Sequence, residues 1–367
     1  MRITKIEPIA VSIPMTKPVK MSGIEIRAAD NVLVRMESDT GIIGWGEGAS
    51  APNMTGETLE SMMAAVRYMA PFLHGCDATD FAALHAEMDW RMYGNHAAKS
   101  VIDMALHDLV ARSRGVPMHA LLGEKRRDRV PALWLIGTGS TAGDLAETAA
   151  RKESGFVAFK IKVGAHSPAE DAARSRSICE ILGTGLLISA DVNQAWTVPQ
   201  AIEYVTAMRN TPLDFLEQPV RGDDLSGMAK VAAASRIAIG ADEGLHGIAD
   251  IERHHALGAA RGGSLKTIKF GGVRAAFDGG CVADRLGMKI NLATKMSESS
   301  IACAAVMHLA AALPNVDWGV SPTCQYLADD LVKVPLKITS GHATVPNGPG
   351  LGIEVDLEKV RRYTVSM

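Results

Sequence analysis

Hydrophobic and polar positions fall into two textures along the chain. From Met1 to about Glu47 they alternate. Ile3 to Ile13 is strand-like, Asn31-Val-Leu-Val-Arg-Met-Glu37 runs into a turn at Asp39-Thr-Gly41, and Ile42-Ile-Gly-Trp-Gly-Glu47 follows. Residues two apart share one face of a strand, so this pattern predicts an antiparallel meander. From about Glu57 to Leu122 the period becomes helical. Leu59, Met62, Met63, Val66 and Met69 fall on one face, and Val101, Ile102, Ala105 and Leu109 repeat the spacing. Strands followed by a block of helices predict an α+β unit.

After Leu122-Gly-Glu-Lys125 the two periods alternate. Apolar runs at Val130–Ile136, Ala158–Val163, Leu186–Asp191, Leu213–Glu217, Ile237–Asp242, Ser264–Lys269 and Met288–Thr294 are separated by helical sequence, with a weaker eighth near Val316–Gly319. Repeated βα units in this number predict a barrel. An open doubly wound sheet would need a glycine-rich phosphate loop after its first strand, and Ile136-Gly-Thr-Gly-Ser140 is a poor one. The tail from about Asp329 is turn-rich with short strands, and is expected to pack back on the N-terminal unit.

Composition narrows the function. A chain of 367 residues with 47% hydrophobic content has room for both units. A net charge of −3 gives no basic face for nucleic acid or an anionic membrane. No apolar run is long enough for a bilayer span, and the alternating N-terminus is unlike a signal peptide. Cys76, Cys179, Cys281, Cys303 and Cys324 are dispersed, which reads as reduced thiols and a cytoplasmic protein. P-loop, GxSxG and HExxH motifs are absent.

Active sites of parallel barrels gather at the C-terminal ends of the strands. Reading what stands there gives Lys160 and Lys162, then Asp191 with Asn193, Glu217, Asp242 with Glu243, and Lys266 with Lys269. Asp191, Glu217, Asp242 and Lys266 are spaced by 26, 25 and 24 positions, one βα unit each time. Equal spacing predicts one height on neighbouring strands. Three acids so placed repel unless a cation holds them, and oxygen donors without His or Cys suit Mg²⁺ or Mn²⁺. Lys160 and Lys162 share a face, so their proximity is expected to lower the pKa of one of them toward a value useful for a base. Lys266, across the ring, would approach from the opposite side. Lysines on both faces of one carbon can take a proton and return it. The proton beside a carboxylate is too weakly acidic for this unless the developing enolate is stabilised, as a divalent ion would do.

Phe159-Lys-Ile-Lys-Val-Gly164, Ala190-Asp-Val-Asn-Gln-Ala-Trp196, Leu216-Glu-Gln-Pro219, Gly240-Ala-Asp-Glu243 and Leu265-Lys-Thr-Ile-Lys-Phe-Gly-Gly272 stand in the order of the barrel motifs of the enolase superfamily. The chain resembles the muconate lactonizing enzyme (muconate cycloisomerase) subgroup over nearly its whole length. The resemblance implies an α/β fold with an α+β capping domain over residues 1–125, a (β/α)7β TIM-like barrel over 126–325, and a C-terminal segment, 326–367, that packs on the cap. It further implies Mg²⁺ or Mn²⁺ at Asp191, Glu217 and Asp242, with Lys162 and Lys266 as bases. Lys160 would tune Lys162, and Asn193 would support the ligands from behind. A small carboxylate substrate and a homo-oligomer are expected with it.

Other positions carry two readings. Glu298 is either a glutamate near the substrate or a helix N-terminal acid. Trp318 resembles the eighth-strand region of muconate enzymes, but Val320-Ser-Pro-Thr-Cys-Gln325 departs from their pattern. The DxD element of dipeptide epimerases is absent there. Two loops would close the mouth, about Thr16–Gly23 and Ser50–Gly56. Lys17 or Lys20 would meet an anionic substrate or be solvated surface, and Met21 and Met54 would form an apolar wall or simply pack. No His stands at a strand end, against the mandelate racemase branch. The reading that follows is a cycloisomerase acting through an enolate. The alternatives are a racemase or epimerase of an N-acyl amino acid or dipeptide, an acid dehydratase, and a non-catalytic binding protein.

Overall fold

The computed structural model describes residues 1–21 and 24–366, without the side chains of 19–21 and 24. Strands β1 (Ile3–Met21), β2 (Ile24–Ser38) and β3 (Ile43–Ala49) form the antiparallel meander that the alternation predicts. Val32, Val34 and Met36 on its buried face share a core with Met62, Val66 and Met69 of α1 (Leu59–Leu73). Thr58 and Ser61 start α1 with reciprocal caps. Helix α2 (Phe81–Arg91) follows, and then α3 (His96–Ser113), which is buried along most of its length. Strand β3 lies directly on α3. A Cβ at Gly44 would fall 2.2 Å from the Ala105 carbonyl, and one at Gly46 2.0 Å from that of Val101. Only glycine permits that approach.

The second unit is a nearly closed parallel barrel. After β4 (Arg129–Pro131), its strands are β5 (Leu133–Ile136), β6 (Ala158–Lys162), β7 (Leu187–Asp191), β8 (Phe215–Glu217), β9 (Ala238–Ala241), β10 (Gly262–Leu265), β11 (Lys289–Ala293) and β12 (Val320–Ser321). A parallel bridge from Ala132 to Val320 brings the ends of the sheet together. Between the strands run α4 (Thr141–Glu153), α5 (Pro168–Leu182), α6 (Val198–Met208), α7 (Leu225–Ala234), α8 (Ile248–Ala256), α9 (Thr267–Phe270), α10 (Val273–Arg285) and α11 (Ser300–Ala312). Ser167, Pro168 and Glu170 open α5 with a capping box.

Three elements differ from expectation. The first apolar run changes partners at Ala132, which bridges to Val320. Its first part, β4, joins β13 (Ile338–Thr339) and β14 (His342–Thr344) in a small antiparallel sheet, and only β5 enters the barrel. The sixth strand stops at Leu265, because Lys266 caps the single turn α9 that carries Lys269. The eighth strand begins at Val320, not near Val316. Val316–Gly319 is a turn closed by the Gly319 N–H on the Val316 carbonyl at 3.0 Å. Gly319 has φ +68°, and a Cβ there would meet the Pro131 carbonyl at 2.8 Å.

The tail runs back along the first sheet. Ala328 donates to the Pro14 carbonyl at 2.9 Å, and beyond α12 (Leu357–Tyr363) Val365 donates to that of Ala10 at 3.0 Å. Among the described residues no helix is long and apolar enough to cross a membrane.

Candidate active site

The C-terminal ends of the barrel strands surround a cavity, open to solvent, into which Asn53 and Met54 reach from the loop before α1. Lys162, Asp191 and Glu217 are paired across β6, β7 and β8 in direct register. The level partner of Glu217 on β9 is Gly240, so Asp242 stands two residues further along, in the turn past the strand. Gln218 holds that turn, its Oε1 accepting from the Asp242 and Gly244 N–H groups at 2.8 and 3.1 Å. The equal spacing thus gives one height for two of the acids, and a fixed turn delivers the third.

Each acid is answered by a lysine. Lys162 Nζ donates to Asp191 Oδ2 at 2.6 Å and to Asn193 Oδ1 at 2.5 Å. Lys160 pairs with Glu217, whose Oε1 also accepts from Ser264 at 2.8 Å. Asp242 pairs with both Lys266 and Lys269. Asn193 Nδ2 donates to Glu243 at 3.1 Å. Burial works to raise the Asp242 carboxyl, but Lys266 and Lys269 together hold it well below the usual range. Burial prevails at Glu217, which is raised. It also prevails at Glu243, pushed up to about 7 with Asp242 and Asp191 adding to it.

Lys160 itself is not depressed by its neighbour. Burial favours its neutral form, yet the Glu217 and Asp191 carboxylates keep its ammonium well above the ordinary range. Lys266 is raised for the same reason, through Asp242 and Glu217. The two neighbours on β6 each have a carboxylate of their own.

With the acids turned to lysines, no three Asp, Glu, His or Cys side chains among the described residues converge on one point. The donor chemistry still fits a hard divalent ion. Asp191, Glu217 and Asp242 are all buried, come from adjacent strands and line one cavity, with no sulfur or imidazole among them. The Asp191 and Asp242 charges each disfavour ionisation of Glu217. A cation would relieve that repulsion, as the ammonium groups do here.

Two other predicted residues do not line the cavity. Trp318 stands before β12, at the end of the barrel away from the mouth. It stacks on Phe215 with ring centroids 3.9 Å apart and fills the space left by Gly240 and Gly262. Glu298 does not line the cavity. It is buried behind it, accepting from the Ala49 and Lys295 N–H groups at 3.0 and 2.9 Å. Lys17 pairs with Glu147 at 3.3 Å. The side chain of Lys20, and that of Met21, lie outside the described residues.

The structure adds cavity residues that the sequence reading passed over: Thr294, Lys295 and Met296 after β11, Gln325 and Tyr326 after β12, and Leu133 and Leu135 of β5. For Lys295 the signal was present. It stands just past the seventh strand, as Asn193 and Asp242 stand past theirs.

A nearly closed parallel barrel with buried acids and lysines at the C-terminal ends of its strands is the class of protein that the fold and site define. Residues 5–123 match the Mandelate racemase / muconate lactonizing enzyme N-terminal domain, and residues 144–360 match the Enolase C-terminal domain-like family. The chain belongs to this family, in the enolase superfamily, and is an isomerase of its muconate lactonizing subgroup. It is 33% identical to a chloromuconate cycloisomerase of Pseudomonas putida over 99% of both chains. Among solved structures, a 2-chloromuconate cycloisomerase from Rhodococcus opacus superposes with a TM-score of 0.95 at 28% identity, covering 100% of both chains. An N-succinyl Arg/Lys racemase from Bacillus cereus gives the same TM-score and identity, covering 100% of this chain and 99% of that one.

Proposed function

We propose that this chain is a divalent-metal-dependent cycloisomerase of the muconate type, working through an enolate at the carbon beside a substrate carboxylate. The observation that carries the reading is the juxtaposition of Lys162 on β6 and Lys266 after β10 across one cavity, with Asp191, Glu217 and Asp242 between them. Those three acids would hold Mg²⁺ or Mn²⁺, which supplies positive charge against the developing enolate. Lys162 and Lys266 would handle the proton on opposite faces of the reacting carbon. Burial already favours the neutral amine at Lys266, and only the carboxylates beside it keep it charged. Once those carboxylates are engaged by another cation, burial draws the lysine toward a base. Lys160 neutralises Glu217, and Asn193 orients Lys162.

Loss of the ultraviolet absorbance of cis,cis-muconate or a chlorinated muconate, with Mg²⁺ or Mn²⁺ present, tests the assignment. An inert muconate beside an active N-acyl amino acid would overturn it. That second outcome has its own support, since opposed lysines suit two-face exchange and a racemase shares this fold at a TM-score of 0.95. Incorporation of deuterium at the α carbon from D₂O would report either reaction class.

A further inference from the structure

The cavity has two unlike halves. Around the ends of β6 to β10, Lys160, Lys162, Lys266 and Lys269 each bond to a carboxylate. Around the ends of β11, β12 and β5 the lining is apolar or neutral, with Leu135, Met296, Gln325 and Tyr326 among it, and one charged side chain, Lys295. Lys295 is only 6% exposed. Among the described residues its ammonium has no hydrogen bond and no ion pair. A buried charge without a partner is costly, and a protein keeps one where a ligand supplies the partner.

Its backbone is fixed. The Lys295 N–H donates to Glu298 Oε2 at 2.9 Å, and its carbonyl accepts from the Glu298 N–H at 2.9 Å and Thr323 Oγ1 at 2.8 Å. The side chain is therefore presented to the cavity from a rigid strand end. In the ring of strands β11 lies opposite β7, so Lys295 faces Asp191 and Lys162 across the mouth. Burial, with Lys266 and Lys162 nearby, lowers it to about 8, which still leaves it largely protonated at neutral pH.

We propose that Lys295 determines specificity by receiving a second anionic group, a carboxylate at the end of the substrate remote from the reacting carbon. The site is then built for dicarboxylates and repels substrates with a remote ammonium group. This rests on the proposed reading of the acids and lysines as the reacting end.

The test is binding, measured by calorimetry on Mg²⁺-loaded protein, of straight-chain dicarboxylates from succinate to suberate, cis,cis-muconate, and the matching monocarboxylates. Wild type should bind at least one diacid roughly 30-fold or more tighter than its monoacid. Lys295→Met should lose that preference with monoacid binding unchanged, and Lys295→Arg should keep part of it. A melting curve verifies that each variant is folded. The proposal is overturned if no diacid is preferred, if Lys295→Met binds diacids like wild type, or if it weakens mono- and diacids equally. Deuterium exchange separates this from the parent reading. Lys295-dependent diacid binding without any exchange would sink the reaction and keep the subsite, whereas exchange without diacid preference would do the reverse.

Discussion

Buried acids occur in two regions of this molecule and are satisfied in two ways. In the first unit and at its seam with the barrel, backbone amides lead among the partners. Glu47 accepts from the N–H groups of Ser299 and Ala302 at 2.9 and 3.0 Å, at the start of α11. Glu57 does the same for Ala97 and Ala98 at the start of α3, at 2.8 and 3.0 Å. Asp108 takes the N–H groups of Trp45 and Leu351 at 2.9 and 2.7 Å, and Arg112 besides. At the mouth, Asp191, Glu217 and Asp242 are met by ammonium groups on four-carbon stems. An amide donor cannot leave without unfolding its segment, but a lysine can swing away. The seam acids are staples; the mouth acids can change partners, as binding and proton transfer require.

The largest expected effect tests the mouth. Lys162→Ala and Lys266→Ala should each lower kcat by at least about a thousand-fold, the range of a positioned acid–base group. Both should still melt cooperatively when Mg²⁺ is present, since Asp191 and Asp242 face other cations. Retention of wild-type turnover by either variant removes it from the proposed pair.

The seam should answer in the opposite currency. Asp108→Ala removes the acceptor for two buried N–H groups and leaves Arg112 without its carboxylate, for which a loss of about 3 to 5 kcal/mol is expected. Urea unfolding reads that loss, while kcat of the folded fraction should stay near wild type. A variant that kept its stability and lost kcat would erase the distinction between the two regions.

The same distinction explains what was legible in the sequence. Alternation and helical period read out the meander, the helix block and the parallel barrel, because burial of one face imposes those periods. Strand-end position brought Lys160, Lys162, Asp191, Glu217, Asp242 and Lys266 together on paper, since residue spacing equals barrel geometry when every unit has one strand and one helix. Trp318 lies away from the mouth and Glu298 one layer behind it because both stand beyond the regular units. A turn at Gly319 sends Trp318 to the far end of the barrel, and the amides of Ala49 and Lys295 draw Glu298 behind the wall. Many of the partners of Glu47, Glu57 and Asp108 are backbone amides, which no residue type advertises. Lysine pairing also hid the direction of the shift at Lys160, since proximity of two lysines is visible in the sequence and their private carboxylates are not.

A buried base at the seam should show the cost of having no partner to exchange. His308 on α11 is fully buried beside His119, ring centroids 5.6 Å apart, and burial lowers it to about 4 from an ordinary 6.5. A base depressed by folding adds stability that is whole above its unfolded pKa and is lost as pH falls through the folded one. Wild type should therefore lose up to about 3 kcal/mol between pH 6.5 and pH 4 from this residue. His308→Met should flatten that part of a stability-against-pH curve, and an unchanged slope would show that the charge finds solvent.

The smallest effect sharpens the comparison most, because it asks the mouth acids to change partners without any chemistry. Adding Mg²⁺ or Mn²⁺ at about a hundred times its dissociation constant should stabilise the protein by about 2.7 kcal/mol, read as a rise in Tm that EDTA reverses. Glu217→Gln should lose most of that rise, since it withdraws one of three hard oxygen donors and leaves Lys160 with a weaker acceptor. Asp108→Asn, though less stable to begin with, should keep the rise in full, because amide-held acids have no freedom to turn toward an ion. If Asp108→Asn lost the metal response and Glu217→Gln kept it, the cation would bind at the seam, and the lysines at the mouth would be permanent partners of their acids.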